Sequence, residues 1–453
     1  MPDILNNEKY SEEFNRKVKE SYKPLPIELY DKYNVKRGLR RNDGTGVMAG
    51  LTAIGDVKGY YIEDGEKIPC EGRLRYRGID VRDIVDGCRK EGRFGFEEVA
   101  FLLLAGFLPD KNMYDAFFEL LGKNRALPER FAEDMIMKAP SINIMNKLAR
   151  CVLASYSYDP NPDDTSFSNI LRQSVELIAR FPTMVAYGYQ AKSHYHDGKS
   201  LYIHQPQPNL STAENILYMI RPDNKYEKIE AEILDLALIL HAEHGGGNNS
   251  AFAARVLSSS GTDTYSAIAA AVGSLKGPKH GGANQRVMGM IEDFKQNISD
   301  INDEQQIREH IVKILKKQSY DRSGLVYGMG HAIYTLSDPR EVMLKAKARE
   351  LAERKSMMEE FMLYDLIEKN TPELFAEIKK DSKTMCANVD MYSGFVYKML
   401  GIPPELYTPL FAVSRIVGWC AHRIEEITTN NKIMRPAYKS VVSSQKYIPI
   451  DKR

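Results

Sequence analysis

The chain of 453 residues carries 62 Lys plus Arg against 61 Asp plus Glu, a balance too even to argue for nucleic acid or an anionic membrane as partner. Its longest uncharged apolar run, residues 99–109, falls far short of the roughly 20 residues that a membrane-spanning helix needs. With 43 % apolar residues it has material for a large core, and its length predicts two or three domains.

The first 23 residues, MPDILNNEKYSEEFNRKVKESYK, mix acidic and basic side chains. They have neither the apolar core of a signal peptide nor the acid-poor composition of a transit peptide. They are expected to belong to the mature protein as a helical N-terminal extension, residues 1–44. Residues 36–41, KRGLRR, form a basic cluster that reads first as solvated surface. From 47 to 81 the pattern changes to short alternating segments punctuated by glycine, GLTAIGDV, GYYIEDGEKIP and GRLRYRGI. This predicts a small β-meander, the only sheet expected. Beyond Asp83 the apolar period is helical, with turns at LPD, NPDD, RPDN, KGPKHGG, SDPR and GIPPEL. One conspicuous loop, YHDGKSLYIHQPQPN (195–209), interrupts it and carries His196 and His204. So long an alternation of helix and turn predicts an all-α protein. Five cysteines with no CxxC pair fit reduced thiols in a cytoplasm better than a disulfide framework. Cys386, shortly before Asp390, is a candidate reactive thiol, set against the plainer reading of a small buried hydrophobe.

Three of the nine histidines fall in residues 241–285, which open with HAEHGGGNNSAF and close with LKGPKHGGANQ. Residues 229–240, IEAEILDLALIL, are apolar at helical spacing and stop where His241 begins, so His241 and His244 are placed at a helix C-terminus, one turn apart. Glycines beside a histidine let the backbone approach a ligand with no Cβ between them. After GGGNN, residues 250–257 and 265–275 read as two alanine-rich helices suited to close packing, and 283–294 as the next helix after the GPKHGG break. Histidines at i and i+3 can bind zinc, but with no HExxH and no cysteine cluster to supply further ligands, no metal is expected.

The pairing of those two histidine motifs resembles the citrate synthase family. YGMGHAIYTLSDPR (327–340) is similar to the family's GxGH followed by DPR, and NVDMYSGFVY (388–397) to its NVDFYSG. The likeness runs outward through GRLRYRGIDVRDI and FEEVAFLLLAGFLP on one side and FAVSRIVGWCAH and MRP on the other, covering about 45–440. It implies a two-domain multi-helical fold: a large domain from 45–280 and 395–453, and a smaller mobile one, 281–394, closing on substrate. The glycines around His280 and Gly394 suggest the same cuts. The implied activity is that of an acyltransferase condensing acetyl-CoA with oxaloacetate and hydrolysing the citryl thioester to citrate and CoA. It needs no metal or redox cofactor, and its implied form is a homodimer with a shared active site. The nearest alternative is a 2-methylcitrate synthase using propionyl-CoA, since one methylene discriminates by only about 1–3 kcal/mol. A non-catalytic CoA-binding scaffold on the same fold is the alternative of a different class, although such a scaffold has no need of His280, His331 and Asp390 together.

The chemistry assigns roles. A thioester α-proton is weakly acidic, so a carboxylate base needs beside it a donor that stabilises the developing enolate oxygen. Asp390, flanked by Val389, Met391 and Phe395, suits the base, because burial raises a carboxyl pKa. His280, at a helix start, suits the donor: the positive end of the helix dipole disfavours a second positive charge, and a neutral imidazole still donates one hydrogen bond. His331 in GMGH is assigned by the resemblance to polarise the ketone. Substrate carboxylates call for planar guanidinium partners, and Arg340, Arg415 and Arg435 stand in SDPR, FAVSR and IMRP. The resemblance implies that His244, His331 and these arginines cradle oxaloacetate, with Arg435 reaching across from a second subunit. Singly each has a plain reading: the Asp a cap or ion-pair partner, DPR a common turn, Arg415 a buried ion pair. His241 is read as structural.

For coenzyme A, the resemblance implies adenine contacts from the backbone around Val326, Tyr327, Gly328 and Gly330. Family members with alanine after the GxGH histidine, as Ala332 here, carry a phosphate-binding basic residue either before those glycines or a few positions beyond the histidine. Those places read Leu325 and Thr335. The charge is therefore expected from Arg322 or from the KRGLRR cluster of a partner subunit, with Arg37 as the choice within it.

Overall fold

The computed structural model describes residues 8–41, 44–380, 384–429 and 432–452. Two compact units divide the chain, Met1–Leu51 and Thr52–Arg453. In the first, the helix Glu8–Ser21 carries i,i+4 pairs between Lys17 and Glu13 and between Arg16 and Glu20. A second helix, Ile27–Lys32, follows Pro26, and a short 3-10 turn, Arg37–Leu39, leads to a bridge between Arg40 and Gly46. Between these three helical pieces, residues 22–26 and 33–36 are not helical.

The second unit opens with the expected meander. Strands β1 (Gly55–Glu63), β2 (Glu66–Tyr76) and β3 (Ile79–Asp80) form an antiparallel sheet in that order. Asp64 and Gly65 join β1 to β2, both at positive φ, the handedness that matches strand twist in a two-residue hairpin turn. Every named element after β3 among the described residues is a helix, and with 59 % helix against 6 % strand the all-α reading stands. The Tyr407–Thr429 helix is buried along nearly its whole length, and the helices Phe167–Tyr195, Lys228–His241 and Asn249–Ser258 pack around it. The alanine-rich pair read from sequence, observed as Asn249–Ser258 and Thr264–Lys276, packs closely side by side. The helix Asp390–Met399 packs against Ala283–Asn297 and Pro339–Arg354. Residues 196–211 form the expected loop.

The sheet serves the helices as a platform. A Cβ on Gly59 of β1 would lie 2.6 Å from the Ile333 carbonyl oxygen, and one on Gly72 of β2 would lie 2.0 Å from that of Ser337. The Gly72 N–H donates to Ser337 Oγ at 3.1 Å. These two glycines let residues 331–339, with His331 at one end and Asp338 near the other, lie flat on the strands. Gly72→Ala should therefore cost about 1–3 kcal/mol of stability by overpacking and raise the KM of any ligand bound by Arg340. Thermal unfolding and steady-state kinetics on the purified variant check both.

Candidate active site

The helix Lys228–His241 stops one residue into HAEHGGG, so His241 and His244 are not successive rungs of one helical face. His241 stays in the core, its Nδ1 2.7 Å from the Ala237 carbonyl oxygen and its ring edge-on to Phe411. Burial pushes its pKa down to about 3, which fits the structural role expected of it. Glu243 turns inward and is fully buried; it accepts from the Gly245 N–H and contacts His422 Nε2 at 2.9 Å. Behind His422, Arg255 pairs with Glu425 and Glu426. This ionic chain pins the glycine turn and leaves His244 facing the other way, with Nε2 3.3 Å from the Tyr334 hydroxyl and its ring 5.2 Å from that of His331.

The two remaining motifs are joined by main-chain hydrogen bonds. Gly330 N–H donates to Cys386 C=O and Asn388 N–H to Gly328 C=O, both at 2.8 Å, with Met329 and Ala387 forming a bridge. Asn388 closes the seam with its side chain, Nδ2 donating to Gly330 C=O at 2.8 Å and Oδ1 accepting from Asp390 N–H at 3.0 Å. GMGH and NVD thus become one structural unit, and Gly328 is required there: it sits at φ +83°, and a Cβ would lie 2.8 Å from Met391 Sδ. Within it, His331 Nδ1 accepts from the N–H groups of Ile333 and Tyr334, at 3.1 and 3.2 Å, which places the proton of the neutral ring on Nε2. Its ring stacks on Tyr334 with centroids 4.7 Å apart.

His280 reaches the same place from a turn ahead of the Ala283–Asn297 helix. Its Nε2 faces Ser250, 2.8 Å from Oγ and 3.3 Å from the backbone N–H, and a nitrogen facing a backbone donor is an acceptor, so Nδ1 carries the proton. Ser250 is held in turn by the Trp419 indole N–H at 3.0 Å. Burial, then the nearby Arg415, push the His280 pKa down to about 4; these two causes make the ring neutral, where the sequence argument had invoked a helix terminus.

Two buried guanidinium groups complete the cluster. Arg340, at the start of the Pro339–Arg354 helix, is fixed by Asp338 through paired contacts of 3.0 and 2.7 Å. Arg415 donates through Nε to the His241 carbonyl at 2.6 Å, while its Nη2 is buried with no acceptor among the described residues. Burial lowers the Arg415 pKa to about 10, so it stays charged at neutral pH. His244 is held well below the ordinary histidine range by burial and by Arg340. Asp390, the first residue of its helix, is raised to about 6 by burial, with Arg340 pulling the other way and Asp338 adding to the rise. The site is thus a recess holding neutral imidazoles, two fixed cations, one of them with an unmatched donor, and a carboxyl poised near neutrality.

His244, His280, His331, Arg340, Arg415 and Asp390 are brought together. Arg435 is not, within one chain: it is exposed, and Met434 before it is tied to Ser259 at 3.1 Å. Ser259 lies at the far end of a helix from Ser250, roughly 13 Å along the axis at 1.5 Å per residue. Val326 is buried, and Tyr327, Gly328 and Gly330 line the loop before His331. Arg37 belongs to the Met1–Leu51 unit, where its guanidinium lies over the Tyr30 ring. Cys386 is pushed up to about 12 by burial, so the reactive thiolate is disfavoured. The sequence reading passed over Ser250, Glu243, Tyr334, Asn388 and Asp338. All five lie inside the quoted motifs; Ser250, Glu243, Tyr334 and Asn388 meet partners far away in the chain, whereas Asp338 pairs with Arg340 two residues on.

The family model for the citrate synthase C-terminal domain matches residues 42–437. A citrate synthase of Haloferax volcanii is 34 % identical over 388 residues, 84 % of this chain and 93 % of that protein. A 2-methylcitrate synthase of Shewanella oneidensis is 32 % identical over 381 residues, 84 % of this chain and 92 % of its own. Among solved structures, a citrate synthase of Pyrobaculum aerophilum superposes with a TM-score of 0.72 at 29 % identity, covering 90 % of this chain and 94 % of that one. A citrate synthase of Thermoplasma acidophilum, in ternary complex with carboxymethyl coenzyme A and oxaloacetate, gives 0.73 at 25 %, covering 90 % and 97 %.

If Asp390 acts as a base, its ionised form is the working one. With the folded pKa raised from 3.8 to about 6, kcat/KM should fall about tenfold per pH unit below 6. The same rise means that the fold favours the protonated carboxyl, so stability falls as pH climbs from 3.8 through 6. Asp390→Asn should accordingly raise the melting temperature more at pH 8 than at pH 4 while abolishing the acid limb. A pH–rate profile beside melting curves at the two pH values tests both signs.

Proposed function

Because this chain belongs to the citrate synthase family and is an acyltransferase of that family, we propose that it condenses acetyl-CoA with oxaloacetate and hydrolyses the product thioester to citrate and CoA. The observation that carries the reading is the buried, unmatched Arg415 Nη2 beside Arg340, His244 and His331. A buried charged donor calls for an acceptor, and a small dicarboxylate supplies carboxylates for both guanidinium groups.

The steps follow from the protonation states. Asp390 removes an α-proton from the acetyl thioester while His280 donates its Nδ1 proton in a hydrogen bond to the thioester oxygen, where enolate charge develops. The new carbanion equivalent forms a C–C bond to the ketone carbon of oxaloacetate, and the ketone π electrons move to oxygen, whose developing charge His331 Nε2–H stabilises by a hydrogen bond; the proton that Asp390 took is released to solvent and one from solvent completes the hydroxyl, which leaves both residues in their starting states. Water then adds to the citryl thioester carbonyl; the C–S bond breaks and the thiol leaves as CoA with a proton. The acid–base chemistry asks for no metal or redox cofactor, acetyl-CoA entering as substrate.

In the same reading the working unit is a homodimer in which Arg435 of one chain completes the site of the other, and residues 281–394 form a mobile small domain. A cytoplasmic location is part of the proposal, in keeping with five free cysteines. The likeness to the Shewanella protein supports a second reading, propionyl-CoA as acyl donor with the same residues in the same roles.

Purified protein given oxaloacetate should release free thiol with acetyl-CoA, and Asp390→Asn should lower turnover by about 10²- to 10⁴-fold. Faster release with propionyl-CoA would move the assignment to 2-methylcitrate synthesis. Saturable CoA binding with no thiol release from either donor would favour the scaffold reading. Arg415→Lys, which loses the planar fork, should raise the KM for oxaloacetate by roughly tenfold or more while affecting that for acetyl-CoA far less.

A further inference from the structure

Resting on the citrate synthase reading, we infer that Arg286 is the phosphate anchor for the coenzyme A substrate. The two places where the resemblance looks for a basic residue hold Leu325, exposed and apolar, and Thr335. The loop carrying Val326 and Tyr327 has nevertheless recruited a cation from another element. The Arg286 guanidinium lies over the Tyr327 ring, 5.9 Å from its centroid, and Nη1 is 3.3 Å from Asp321 Oδ2. The Tyr327 hydroxyl donates to the same oxygen at 2.6 Å, and the Ser323 N–H bonds the other carboxylate oxygen at 3.0 Å. Asp321 is thereby occupied by three donors and acts as the brace that aims the arginine. The Arg286 backbone is held as well, its carbonyl accepting from the Tyr320 hydroxyl at 3.1 Å.

What the brace leaves is a charged fork ready for a ligand. The guanidinium meets Asp321 through Nη1 and also lies against the Tyr320 hydroxyl, while the side chain as a whole stays 47 % exposed. An aligned and partly exposed guanidinium suits the oxygens of a phosphate. Its place along the chain fits an elongated substrate. Arg286 stands in the first turn of the helix Ala283–Asn297, which begins just after the turn that carries His280. It also lines a cavity of about 350 Å³ beside the His280 turn, together with Lys276, Gly282 and Gln285. A thioester held at the His280 turn thus has a cation in the first turn of the helix that follows, on the side where Tyr327 stands. Arg322, the cation expected from sequence, sits at φ +57° and makes no comparable contact with Tyr327 among the described residues.

The test compares Arg286→Gln with the parent enzyme on three acyl donors: acetyl-CoA, 3′-dephospho-acetyl-CoA and acetyl-pantetheine, the last without phosphate. Loss of a charged hydrogen bond predicts a KM for acetyl-CoA raised roughly tenfold to a hundredfold, with kcat changed far less and with partial rescue by Arg286→Lys. With acetyl-pantetheine the two proteins should converge. A KM ratio that vanishes with the dephospho substrate assigns the contact to the 3′-phosphate, and one that persists assigns it to the diphosphate. A KM for acetyl-CoA within twofold of the parent, or an equal rise with acetyl-pantetheine, would overturn the assignment. Failure of the parent enzyme itself to turn over any donor refutes the underlying activity instead.

Discussion

Two guanidinium groups buried in one recess are the constraint on which the rest of this structure depends. Arg340 and Arg415 cannot shed their charge at neutral pH, so whatever surrounds them must be neutral, be negative or be pinned at a distance. Asp338 answers Arg340 directly by a two-point contact. For Arg415 the compensation is indirect: a main-chain carbonyl at Nε and the buried charge of Glu243 nearby. The imidazoles of His244 and His280 feel these cations as well as their own burial and remain uncharged. Asp390 feels burial against two cations, and the compromise leaves its carboxyl near neutrality. One electrostatic arrangement thus prepares a base, a neutral donor and an anion-binding recess.

Holding that arrangement requires rigid backbone, and the chain supplies it twice over. The seam between GMGH and NVD fixes His331 and Asp390 through hydrogen bonds of groups that every residue carries, with Asn388 adding a side-chain clamp. The strand glycines Gly59 and Gly72 then let the loop from His331 to Asp338 lie on the small sheet. A sheet that contributes little to the core is in this way essential to the site. On the opposite wall, the ionic chain from Glu243 through His422 and Arg255 stabilises the glycine turn that turns His244 outward.

Much of this was legible from residues alone. Helix bounds between 228 and 297 were readable within a few positions because apolar spacing and glycine breaks agree there. The motif residues His244, His280, His331, Arg340, Arg415 and Asp390 were readable because each stands in a short pattern of unusual composition. Less legible were the partners. Nothing near His280 in the chain announces Ser250 and Trp419, and nothing in YGMGH announces that its carbonyls will be met by Asn388.

Sequence by itself determined the helical class, the meander, the family and the residue types available for acid–base work, since these depend on local periodicity and on motifs contained in a few residues each. Tertiary structure decided which of those residues meet, which ring nitrogen carries the proton, why His280 is neutral, and that Arg435 stands outside the cluster of its own chain. The physical reason is that burial and electrostatic potential are sums over neighbours from everywhere in the chain. A pKa near 6 on Asp390 belongs to the surroundings assembled by Arg340, Arg415 and Asp338, and only folding brings them within reach.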